Sequence, residues 1–231
     1  TVAQAEILAG WVILRALGSH GSSGGGPVVM DYRTGATCYS GPERMLFQLA
    51  RVDMLRHYGF PDPTAVWDFA DSVLPDIQAG VERAYGTLLG VASGLGGMVR
   101  AGLIGPGGLV GSLPQILVDV ELCSLVNRLL AGIEVNSDTL AVEIVEQVGI
   151  GRHFLDLEHT VRHLRKEIWA PSVFCRTPPE VWNTEHRSAM DNAADRVDAI
   201  LAGHDPHYLT EEQERELDRI VCRAEEALGQ P

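Results

Sequence analysis

Lysine is almost missing from this chain: Lys166 is the only one among 18 basic residues. Against 31 acidic residues this leaves a formal net charge of −13. Phosphate backbones are bound by clustered cations, so the balance argues against nucleic acid as the main partner and mildly favours cationic or neutral ligands. The near-exclusive use of arginine reads as coding bias rather than function. No run of about 20 apolar residues without charge occurs, so no membrane span is indicated. The opening segment, TVAQAEILAGWVILRALG, has no basic region ahead of its apolar positions. Gln4, Glu6 and Arg15 interrupt it, which suits a core helix better than a secretory leader. Cysteines are few, and Cys38, Cys123, Cys175 and Cys222 form no CxxC pair. They are expected to be reduced thiols in a cytoplasmic protein. Several motifs are also missing: no GK[ST] phosphate loop and no HExxH zinc helix.

What is present has two textures. Up to about residue 110, apolar helix patterns alternate with short apolar runs. Residues 2–17 read as a helix and 18–26 (GSHGSSGGG) as a glycine-rich loop. Strands are expected at 27–32 (PVVMDY), 65–69 (AVWDF) and 98–104 (MVRAGLI), with helices at 42–59 and 74–93. Pro42 suits a first helical turn and Gly59 a helix end. Strand starts about 30–40 residues apart match the βα period of an α/β barrel or an open doubly wound sheet. From residue 113 onward no strand is expected. Helices are indicated near 113–131, 138–148, 157–168, 179–202 and 210–228. Ser137 or Asp138 is the expected cap of the second, and Thr210 with Gln213 makes a capping box for the last. The last two helices are charged outside with narrow apolar stripes, as in an appendage packed on a larger body.

In βα proteins, reactive groups gather at the carboxyl ends of strands. That rule selects Asp31, Tyr32 and Arg33 after the first strand. It selects Trp67, Asp68, Phe69 and Asp71 after the second, and Arg100 with Gly102 after the third. Aromatic faces beside carboxylates suit a quaternary or tertiary ammonium ligand; Arg33 and Arg100 suit a carboxylate. The plainer alternative is that Asp31 and Asp68 cap turns while Tyr32 and Trp67 fill the core. The loop GPGG contributes Gly105, Gly107 and Gly108, which fit either a phosphate at the next helix N-terminus or close approach to a bulky cofactor. No residue is assigned a catalytic role.

His159 and His163 are four apart on an expected helix and share a face; with His153 they have the residue types of a metal site. The sequence is HTVRH, however, and Arg162, Arg165 and Lys166 surround it with positive charge. No metal is expected there, and the histidines are read as hydrogen-bonding groups in a helix-to-core contact.

Four segments, taken in order, resemble the trimethylamine methyltransferase family: MDYRTGATCYSGPE (30–43), ADSVLPDIQAG (70–80), residues 118–155 and HTVRHLRKEIWAP (159–171). The resemblance implies an α/β fold, the C-terminal part of a TIM (β/α)8 barrel followed by a helical C-terminal appendage. Residues 1–112 would be partial barrel; 113–231 would be the final barrel helices and the extension. A chain that starts without Met on a helix is then expected to be a fragment or processed piece. It would form a homo-oligomer or pair with an N-terminal barrel half. The resemblance also implies a reaction: a methyl leaves a small methylated amine for the Co(I) centre of a separate corrinoid protein. No cofactor would be held directly, because the corrinoid arrives with its partner protein. The glycines at 102, 105, 107 and 108 would then face the corrinoid. Members acting on trimethylamine carry pyrrolysine before the PD-x-Q-A-G helix. Val73 falls near that position, which points to quaternary amines such as betaines.

Overall fold

The computed structural model describes residues 1–19, 26–59, 65–67, 69–94, 97–204 and 208–229. They gather into two compact units, Thr1–Asp195 and Arg196–Pro231. The division expected at residue 112 falls within the first unit.

The first unit opens with α1 (Val2–Ala16), of which only Ile7 is buried. Trp11 meets Tyr58 edge-on at 5.7 Å. The first expected strand is β1 (Val29–Met30), and it pairs antiparallel with β2 (Thr37–Cys38). This corrects the expectation that it joins a parallel sheet. The reason lies in the turn: Thr34 N and Gly35 N both donate to the Asp31 carbonyl, Asp31 N donates to the Ala36 carbonyl, and Gly35 takes φ +73°. Those bonds reverse the chain within six residues. α2 (Pro42–His57) then starts on Pro42, as expected, and buries Met45 and Val52 against Leu49, Tyr85 and Leu89.

The parallel crossover is found one unit later. β3 (Ala65–Trp67) leads through α3 (Ile77–Ala92) to β4 (Gly97–Val99), and the two strands pair in parallel with Trp67 opposite Val99. Asp76 caps α3 by accepting from Ala79 N at 3.0 Å. The third expected strand is broken. After β4 the chain turns at 100–102 and resumes as β5 (Leu103–Ile104), which pairs antiparallel with β6 (Val110–Gly111). A parallel bridge between Ala70 and Ile104 carries the crossover sheet past the turn. Ala70, Ala79 and Ile104 are fully buried together there.

Among the described residues no strand follows residue 113. α4 (Leu113–Leu130), capped by Ser112, packs on α3. Two long expected helices are each split. The first becomes α5 (Ser137–Leu140) and α6 (Val142–Val148), parted at Ala141 with φ +52°. Asn136, with Thr139, makes the capping box of α5, in place of the expected Ser137 or Asp138. After α7 (Glu158–Glu167), the second becomes α8 (Pro179–Glu185) and α9 (Ala189–Ala202), parted at His186 with φ +51°. The second unit holds α10 (Glu211–Leu228), which starts on the expected Thr210–Gln213 box. Among the described residues no helix is long and apolar enough to cross a membrane.

Candidate functional site

The loops leaving β3 and β4 meet, and Asp71 is the residue that joins them to the hairpin. One carboxylate oxygen accepts Tyr39 N at 2.8 Å; the other accepts Ser40 N at 2.9 Å and the Ser40 hydroxyl at 2.8 Å. In return Asp71 N donates to the Ser40 hydroxyl and, at 2.7 Å, to Glu82 of α3. Glu82 also receives Ser72 N and the Gln78 amide. The Asp71 carboxylate therefore holds Tyr39 in place; it is a brace beneath the site.

Above it, the Tyr39 and Phe69 rings meet edge to face at 5.5 Å. The Arg100 guanidinium stands 5.0 Å over the Phe69 ring, and the arginine is exposed. The 105–108 loop closes the other side. A Cβ on Gly108 would fall 2.3 Å from Phe69 Cε1, and its φ is +73°. Only glycine lets this backbone rest on the ring. Gly105 lies near Val73, and exposed Gly107 has nothing closer than the Tyr39 ring end.

A buried ion pair fixes the turn that presents Arg100. Asp119 of α4, fully buried, lies 3.8 Å from Arg83 of α3. Asp119 accepts Gly102 N and the Gln115 amide, each at 2.8 Å. Arg83 donates to the carbonyls of Arg100, at 3.1 Å, and Leu103. Burial pulls the Arg83 guanidinium below its usual pKa, and the Asp119 and Glu82 charges oppose that shift. Gly102 has a packing reason of its own, since a Cβ would strike Ile116 at 2.3 Å.

The structure thus brings together Phe69, Asp71, Arg100, Gly102, Gly105, Gly107 and Gly108. It keeps Asp31 and Arg33 to themselves at the hairpin tip. Arg33 donates from its backbone N–H, Nε and Nη2 to the Asp31 carboxylate, which is held down to a pKa of about 2 by these bonds. Tyr32 is 90% exposed. Trp67 is the last residue of β3, and Asp68 lies outside the described residues. Sequence reasoning missed Tyr39, Ser40, Arg83 and Asp119. Tyr39 and Ser40 lie within the 30–43 segment, whose pattern marked it out; Arg83 and Asp119 are 36 residues apart on separate helices and have no local signature.

Beyond this region α4 holds the chain that follows α7. Glu121 accepts the backbone N–H groups of Ser172, Val173 and Phe174 and the Ser172 hydroxyl, at 2.6–3.1 Å. Burial pushes its pKa up, but the Ser172 hydroxyl and the three N–H groups outweigh that, and the carboxyl ends below its usual value. Arg128 grips Glu167 at the end of α7. Asp138 on α5 receives His163 and Arg162 on its carboxylate and His159 on its carbonyl; the histidines make hydrogen bonds, but to α5, which has no buried residue, and not to the core. His153 does not join them; it sits 3.4 Å from Asp156.

Comparison with known proteins gives a consistent result. The family model described as trimethylamine methyltransferase (MTTB) matches residues 1–229. The trimethylamine methyltransferase MttB of Methanosarcina barkeri (strain Fusaro / DSM 804) is 30% identical over 226 residues, 96% of this chain and 45% of that protein. The MttB of Methanosarcina thermophila is 34% identical over 158 residues, 68% of this chain and 32% of that protein. The glycine betaine methyltransferase of Desulfitobacterium hafniense (strain Y51) is 25% identical over 228 residues, 98% of this chain and 47% of that protein. The chain spans about half the length of the curated relatives it matches.

Proposed function

The chain belongs to the trimethylamine methyltransferase family, and from that premise we propose that it forms part of a methyltransferase acting on a quaternary amine, a betaine in particular. The methyl group passes to the Co(I) centre of a partner corrinoid protein. The observation that carries the substrate class is Arg100, exposed and 5.0 Å over Phe69, with Tyr39 edge-on to the same ring. Aromatic faces attract an ammonium group. A guanidinium beside them matches a carboxylate, which betaines carry and trimethylamine does not. Val73, near the position where trimethylamine-specific members carry pyrrolysine, is an ordinary apolar side chain close to Gly105.

The chain's own task in this reading is positioning: it holds the ammonium so that one methyl points outward along the displacement axis. Phe69 and Tyr39 would contact the methyl groups, Arg100 would anchor the far end, and Asp71 would keep Tyr39 in register. A docked corrinoid supplies the nucleophile that takes the methyl. Of the four glycines, Gly107 fits close approach best, being exposed with open space around it; Gly105 is buried beside Val73, and Gly102 and Gly108 are occupied by contacts with Ile116 and Phe69. A second reading, a chain that binds a corrinoid protein or a partner chain without turnover, is favoured by the apolar residues bared on α1, where Val2, Val12 and Ile13 are more than half exposed. Pairing of that face with a second copy or an N-terminal barrel half belongs to either reading.

The test is the substitution Arg100→Ala in the complete protein, assayed with its corrinoid partner. The carboxylate anchor predicts a KM for glycine betaine raised by about tenfold or more, the scale of one lost charge-assisted contact of ~1.5–3 kcal/mol. An unchanged KM removes Arg100 from the pocket.

A further inference from the structure

The cluster of Asp138, His159 and His163 has no part in the methyl-transfer reading. α7 carries both histidines four residues apart, so their rings leave one face; the ring centroids are 4.4 Å apart. Both Nε2 atoms are directed at Asp138. That of His163 lies 2.9 Å from Asp138 Oδ2, and that of His159 lies 3.8 Å from Oδ1. One ligand atom from each residue falls within 4.8 Å of the others. Two ligands each ~2.0–2.1 Å from a shared tetrahedral zinc stand about 3.3 Å apart, so from a cluster bounded at 4.8 Å side-chain shifts of at most about 1.5 Å would seat an ion. The two histidine side chains are only 17–18% exposed. They line a cavity of about 240 Å³ together with Glu134 and Glu167.

We propose that Asp138, His159 and His163 bind a divalent transition-metal ion, Zn2+ by ligand type, through two imidazole nitrogens and one carboxylate oxygen. The surrounding positive charge, which speaks against a metal in the bare sequence, is largely engaged. Arg162 donates at 2.8 Å to Asp138 Oδ1 and leaves Oδ2 turned toward His163. An arginine on the far oxygen orients a ligating carboxylate as outer-shell partners do. Lys166 is 2.7 Å from Glu134, and Arg128 is 3.0 Å from Glu167. His159 exchanges its hydrogen bond to the Asp138 carbonyl, and His163 its bond to Asp138 Oδ2, for metal bonds. The ion ties α5 to α7 and acts as a clasp; no glutamate is placed as in HExxH to make it a hydrolytic centre.

The experiment is calorimetric titration of the full chain with Zn2+ near pH 7.5, with Co2+ absorption as a second readout. One ion per chain and the visible bands of a four-coordinate Co2+ site are expected. His159→Ala, His163→Ala and Asp138→Asn should each weaken Zn2+ by about tenfold or more, since even outer-shell changes cost 10–100-fold. His153→Ala and His186→Ala should leave it unchanged. Asp138→Asn keeps the side chain's size and one of its two acceptor oxygens, so the site is tested even where an alanine variant fails to fold. Failure of the wild-type chain to retain Zn2+, or equal affinity in the cluster variants, overturns the proposal. Neither outcome bears on methyl transfer.

Discussion

Replacing Asp119 by alanine should destabilise the protein more than any change at its surface. The Asp119 side chain has no exposure, and its charge faces Arg83, itself 4% exposed, at 3.8 Å. At an effective dielectric constant of about 20, that separation corresponds to an attraction of about 4 kcal/mol. The net worth of the pair is smaller, because both groups were removed from water. Deleting one partner is another matter: it takes the Asp119 charge away from a buried guanidinium, which costs about 3–5 kcal/mol. It also orphans Gly102 N, for about 1–3 kcal/mol less whatever water restores. Against a domain stability of about 5–15 kcal/mol, the loss should be plain in a urea unfolding curve followed by circular dichroism. A double-mutant cycle with Arg83→Met isolates the charge term: once Arg83 is gone, Asp119→Ala should cost about 2 kcal/mol less than in the wild type. A loss below about 1 kcal/mol, or a cycle without coupling, would refute the bracing of the 100–103 turn by this pair.

Gly108→Ala places a Cβ 2.3 Å from Phe69 at φ +73°, and should cost about 2–3 kcal/mol and alter near-ultraviolet dichroism; Gly132→Ala, with positive φ but open space, should cost only about 1 kcal/mol. Glu121 has a folded pKa below its unfolded one, so its contribution is full above the unfolded value and disappears as pH falls through the folded one. Proteolysis near residues 172–176 should therefore accelerate on acidification in the wild type, while Glu121→Gln should be cut faster at neutral pH and respond less to acid.

The sequence made the crossover β3–α3–β4 legible, because a short apolar run, a capped helix and a second run are all local patterns. It misled at 27–32, since an apolar pair entering a hairpin looks the same as one entering a parallel sheet; the decision lies in the Asp31 carbonyl and Gly35. Helix breaks at Ala141 and His186 were hidden because neither residue is the glycine that usually marks a left-handed backbone. Phe69, Arg100 and the 105–108 glycines were reachable from strand-end reasoning. The Asp71 brace and the Arg83–Asp119 pair were not, as each depends on contacts across 31 or more residues. Asp71 was picked out as a pocket acid, yet its oxygens are filled by Tyr39 and Ser40.

The most direct measurement is methyl transfer by the complete protein with its reduced corrinoid partner, comparing glycine betaine and trimethylamine at equal concentration. The account predicts release of one dimethylglycine for each methyl gained by the corrinoid protein, with little or no transfer from trimethylamine. Demethylation of trimethylamine, with glycine betaine left intact, would contradict it.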